Sequence, residues 1–212
     1  MARDATDTRE RLLTTAQTLF ARDGIYQVPL KRIVERAGQR NASALHYHFG
    51  GRDGLLHAII LRHDGRIQDA RHRMMTRLET DDRTDDLRAL VEALVEPFST
   101  ELDTASGREY LQIVSQLSML FDLWDVDLPD GPTETQRMFR SMDGCLPHLA
   151  PPLRHERITT LLGLVTEALA MRARVLDAPG SRPPALDHHD FVANLVDMAV
   201  GALSAPTTTH AN

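Results

Sequence analysis

Apolar residues recur with a helical period along almost the whole chain. Leu12, Leu13, Ala16, Leu19 and Phe20 form one stripe that runs until Gly24. Asp7, three residues before Glu10, reads as a capping pair that opens this first helix. Leu30, Ile33, Val34 and Ala37 then repeat at i, i+3, i+4 and i+7 between Pro29, suited to a first helical position, and Gly38, a natural stop. Asn41 or Ser43 caps a third short helix with Leu45 and Phe49 on one face, which Gly50-Gly51 closes.

A longer connector helix starts at Leu55 and carries Leu56, Ile59, Ile60 and Ile67 towards Leu78. Beyond the acidic, turn-prone stretch 79–86 the pattern predicts helices over residues 87–102, 107–123, 133–145, 154–177 and 187–204. No alternating run is long enough for a sheet, so the fold class is all-α. Two short helices meeting at a glycine turn beneath a longer one outline a helix-turn-helix. In the last helix Phe191, Leu195, Met198 and Ala202 lie beside Val192, Val196, Val200 and Leu203. That is more apolar surface than one core readily covers, and it predicts a homodimer joined through residues 154–204. Residues 206–212 read as a tail.

Charge sharpens this division. The chain carries −6 overall, yet residues 1–56 hold nine Arg and Lys against six acids, a net +3 that leaves −9 for the remainder. A basic head on an acidic body suits a module that contacts DNA phosphates joined to one that does not. The single cysteine, Cys145, allows no intrachain disulfide, and residues 1–30 lack the apolar run of a signal peptide or membrane span. The expectation is a cytoplasmic protein without a membrane partner. No glycine-rich phosphate loop, paired-cysteine metal spacing or nucleophile motif occurs, so neither an enzyme nor a cofactor is expected. His46 and His48 diverge at i,i+2 and cannot share a metal, and His188-His189 read as solvated residues near a helix start.

The stretch Leu30-Lys-Arg-Ile-Val-Glu-Arg-Ala-Gly38, followed by Asn41-Ala-Ser-Ala-Leu-His-Tyr-His-Phe-Gly-Gly-Arg-Asp-Gly-Leu-Leu56, resembles the N-terminal module of the TetR family of transcriptional regulators. The resemblance spans residues 7–67 and implies a helix-turn-helix domain over 7–54, an effector-binding and dimerisation domain over 55–205, and double-stranded operator DNA as partner. Gly38 and Phe49 are one residue further apart than the family's usual spacing, so Gln39-Arg40-Asn41 makes a longer turn. By the resemblance Leu45 and Phe49 are buried, Ala42, Ser43, Ala44, His46 and Tyr47 face the major groove, and His48 and Arg52 steady the phosphate backbone. Arg40 and Asn41, where the turn meets the helix, and Lys31, the only lysine, at the start of the second helix, complete the candidate interface. For three of these residues a second reading stays open: Asn41 as a cap, Tyr47 as packing and Arg52 as a surface charge. An interaction protein that keeps the fold without specific DNA binding is the rival function.

The resemblance further implies a small-molecule effector whose binding in the body alters DNA affinity, with repression the family's usual mode. Phe98, Tyr110, Met119, Phe121, Trp124, Met138, Phe139 and Met142 are the candidate lining, with Gln112, Gln116 and Tyr110 as polar handles. The same residues read equally well as plain core.

Overall fold

A computed structural model describes residues 2–39, 43–118, 133–178, 180 and 183–207, with side chains from residue 6 onward. The elements among these residues are all helical, in the order α1 (Ala2–Asp23), α2 (Leu30–Arg36), α3 (Ser43–Phe49), α4 (Arg52–Thr80), α5 (Leu87–Ser99), α6 (Ala105–Ser118), α7 (Glu134–Gly144), α8 (Pro151–Asp177) and α9 (His188–Ser204). One 3-10 turn, Thr100–Asp103, joins α5 to α6. Among the described residues no helix is long and apolar enough to cross a membrane.

Local chemistry explains most of the helix ends. Asp86 and Asp187 accept from the backbone N–H groups of Ala89 and Asp190, and Thr133 with Gln136 forms a reciprocal capping box at α7. Pro151 and Pro152 open α8, where their missing N–H groups are no loss. Gly38, at φ +71°, ends α2 in a Schellman motif, with its own N–H on Glu35 O and that of Gln39 on Val34 O. The capping role expected of Asp7 and Glu10 is corrected, because α1 begins at Ala2 and both residues lie inside it. Asp7 pairs with Arg11, and Glu10 takes the guanidinium of Arg62 from α4.

One continuous core runs from Leu12 in α1 to Leu203 in α9. Leu12, Leu19 and Phe20 of α1 meet Ile33 of α2, Leu45 of α3 and Leu55 and Ile59 of α4 in its N-terminal part. Helix α1 also packs along α6, so the N-terminal helices rest directly on the body. There α5 to α9 close around Leu90, Leu94, Ile113, Phe139, Val165 and Leu169.

Candidate nucleic-acid interface

Helix α3 is held by two anchors. Leu45 and Phe49, four residues apart and so on one face, are buried, while Ser43, His46 and Tyr47 are exposed and Ala44 and His48 half-buried. Tyr47, at 84% exposure, is not packing, and its ring meets that of His48 edge-on with centroids 5.1 Å apart. His46 Nδ1 donates to the Gly50 carbonyl at 3.2 Å. A carbonyl only accepts, so Nδ1 carries the proton in this bond and Nε2 is left for a groove edge. The outer strip therefore offers a phenol, a hydroxyl and an imidazole nitrogen to a groove edge. Arg40, Asn41 and Ala42 lie outside the described residues.

Around this strip, Lys31 is exposed on α2, 3.7 Å from Glu35, and Arg36 is exposed at the same helix's end. Arg9 of α1 stacks over Phe49 at 5.1 Å. Arg32 is already engaged by Asp23 at 2.9 Å. Arg52 departs from its expected phosphate-facing position. Its two terminal nitrogens donate to the carbonyls of Ile25 and Val28, and its charge sits over the Phe20 ring, 5.5 Å from the centroid. It ties the turn between α1 and α2 to the first turn of α4.

Behind the strip, α6 grips α1 at both of its ends. Gln116, expected as a polar handle of a ligand pocket, accepts from the Ile25 N–H at 2.9 Å and donates to the Phe20 carbonyl at 3.1 Å, so its amide is engaged at this junction. At the other end, Gln17 donates to the Ser106 carbonyl and hydroxyl, both at 2.8 Å. The Ser106 hydroxyl meets His63 Nε2 at 3.4 Å, and His63 Nδ1 meets Glu101 Oε2 at 2.6 Å. These groups chain with one donor–acceptor polarity: Gln17 to Ser106, Ser106 to His63, His63 to Glu101. Burial pushes the nearby Glu109 carboxyl above its usual range. Tyr110 stacks on His63, centroids 4.5 Å apart, and burial raises its phenol well above the ordinary value.

The most buried charge lies one layer deeper. Arg71 is 1% exposed, and desolvation lowers its guanidinium to about 10. Its Nε donates to the Ala93 carbonyl at 3.1 Å because Pro97, four residues on in α5, has no N–H to offer that oxygen. Its Nη1 donates to Thr135 Oγ1 at 2.6 Å, and its charge lies over the Phe98 ring at 5.4 Å. Among the described residues Nη2 has no partner and no carboxylate is within ion-pair distance. Of the expected pocket lining, Phe98, Tyr110, Met138, Phe139 and Met142 are buried, with Phe98 against Arg71 itself; Met119, Phe121 and Trp124 lie outside the described residues.

Sequence reasoning missed His63 and Arg71, although a signal was present. Ile59, Ile67 and Met75 form an every-fourth-residue stripe on α4, and these two polar residues fill its gaps. A polar side chain in the register of an apolar stripe is a buried one.

Residues 12–59 match the model of bacterial regulatory proteins of the tetR family. The N-terminal module belongs to the TetR family. The match is confined to these N-terminal residues and does not extend over the body. The TetR-family regulator PfmR from Thermus thermophilus shares its fold, at a TM-score of 0.50 and 15% identity over 90% of this chain and 97% of that one. A TetR-family regulator from Pectobacterium atrosepticum aligns at a TM-score of 0.41 and 20% identity over 98% and 100% of the two chains. No curated protein matches.

Proposed function

We propose that this protein is a TetR-type repressor that binds a palindromic operator as a homodimer and leaves it when a small molecule occupies the body. Residues 7–54 serve as reading head, 55–205 as effector and dimerisation body, and 206–212 as tail. The observation that carries the DNA reading is the two-sided helix α3, buried through Leu45 and Phe49 and outward with Ser43, His46 and Tyr47. Lys31, with Arg36 beside it, supplies phosphate contacts, whereas Arg52 is structural.

The test is fluorescence anisotropy with palindromes from the flanking DNA, followed by footprinting. Lys31→Ala is expected to weaken binding to every sequence and to reduce the salt slope by about one. His46→Ala is expected to change which operator is preferred, since a good base contact discriminates by about 1–3 kcal/mol. Equal losses on all sequences for both variants would contradict the assignment, and absence of sequence-dependent binding would favour the interaction-protein alternative.

Dimerisation is read from α8 and α9. Met171 and Met198 are 58% and 52% exposed, Leu164 and Ala168 are half-buried, and Gly201 and Ala202 leave a small-residue approach beside Met198. Leu162 and Val196 are buried within the protomer, so charge there disrupts folding instead of association. Met198→Glu is expected to leave the melting temperature close to its wild-type value at low protein concentration, to shift sedimentation towards monomer, and to lower operator affinity at least about tenfold, because one half-site is held alone. An unchanged dimer would move the interface off this face.

Signal passage follows from the grip of α6 on α1. An effector that binds better to a form in which α6 has shifted carries Gln17, Phe20 and Ile25 with it and alters the spacing of the two α3 helices, roughly one DNA turn of 34–36 Å in the bound form.

A further inference from the structure

Arg71 keeps a full positive charge in the middle of the body with one arm unanswered. Its Nε compensates the backbone defect left by Pro97 and its Nη1 holds Thr135, but neither task needs a cation, since an amide would serve both. The remaining Nη2 has no acceptor among the described residues. Buried donors are almost always paired, so an orphan on a charged group calls for one further acceptor.

We infer that the effector is a singly charged organic acid with an apolar body, whose carboxylate is received by Arg71. This deepens, and rests on, the effector reading above. The anion is single because Asp64 and Glu134, though neither pairs with Arg71, already supply negative charge to its surroundings, and a doubly charged phosphate would meet more of their repulsion than a carboxylate does. The rest of the ligand is apolar because the guanidinium is bordered by Phe98, and because Thr135 shares its helical face with Met138, Phe139 and Met142, all buried. Methionines reshape around a guest more readily than branched side chains. Tyr110, stacked on His63, stands at the end of the polar chain that reaches Gln17 in α1, so an acid seated between Arg71 and Tyr110 has a route to the reading head.

The test uses Arg71→Gln, whose Nε2 falls at the position of the arginine Nε and can still donate to Ala93 O. Hexanoate, octanoate and benzoate, beside the amides of the same three skeletons, are titrated into both proteins with calorimetry, thermal unfolding and release from operator as readouts. The expected result is that the carboxylates bind and stabilise the wild type, that the amides do so at least tenfold more weakly, and that Arg71→Gln folds and binds operator but loses the carboxylate preference. Amides that bind and release operator as well as the acids would overturn the inference while leaving the effector reading intact. A carboxylate response undiminished in Arg71→Gln would overturn the assignment to Arg71. Binding of neither class to wild type, with a folded Arg71→Gln of unchanged or higher stability, would overturn both the acid and the body as its seat.

Discussion

Glu101→Ala should lower the melting temperature by about 6–20 °C. Glu101 is 3% exposed and is the acceptor for His63 at 2.6 Å and Arg66 at 3.1 Å. Removing one partner of a buried pair leaves the other without an acceptor, at a cost of about 3–5 kcal/mol, and each kcal/mol displaces the transition of a chain this size by about 2–4 °C. Arg66→Ala is the informative companion. Its side chain is 68% exposed, so the same bond is screened on that side and the loss should stay under about 1 kcal/mol. Glu101→Gln should fall between the two, since it keeps an oxygen for His63. Calorimetry on the three variants decides, and a Glu101→Ala protein melting within 3 °C of wild type, on the order of the smallest shift that 1 kcal/mol produces, would remove the cluster from the list of supports.

Gly54→Ala should strike the reading head. A Cβ at Gly54 would sit 1.7 Å from the carbonyl oxygen of Phe49 and 2.8 Å from its carbon. Both atoms are main chain, so no rotamer change relieves the contact and α3 must move relative to α4. Overpacking of this kind costs about 1–3 kcal/mol and sometimes more. Operator affinity should drop at least about tenfold, because a helix displaced by an ångström no longer presents Ser43, His46 and Tyr47 in register with base edges. Gly65→Ala, also in α4 but with nothing within 4 Å of the added methyl, should instead stabilise by about 1 kcal/mol through helix propensity. Anisotropy titrations of the two variants separate steric from intrinsic effects, and wild-type affinity in Gly54→Ala would refute the tight junction.

Most of the fold was legible because its signals are local. Apolar periodicity, the Thr133–Gln136 box, the glycine stops and the proline starts each act within about four residues, and a linear reading sees that far. The same locality explains the error at Asp7 and Glu10, since a spacing of three is also that of neighbours on a helix surface. Arg52 could not be read correctly from its surroundings, because its acceptors, the Ile25 and Val28 carbonyls, lie 27 and 24 residues away in sequence. Gln116 fails for the same reason, with its partners at the end of α1 and in the turn after it more than 90 residues distant. The outward and inward faces of α3 were readable from the spacing of Leu45 and Phe49 alone. The burial of Arg71 was signalled by its register on α4, but its partner was not, since that required knowing that Pro97 in α5 leaves the Ala93 oxygen bare towards α4.

Gln116 holds α1 through the Phe20 carbonyl and the Ile25 amide, groups that every non-proline residue carries. These two hydrogen bonds therefore do not depend on which side chains positions 20 and 25 carry. Under the proposed function, duplicated copies can diverge on the exposed strip of α3, acquiring new operators, while these two bonds to the body persist. Sensing and reading can then evolve on separate clocks.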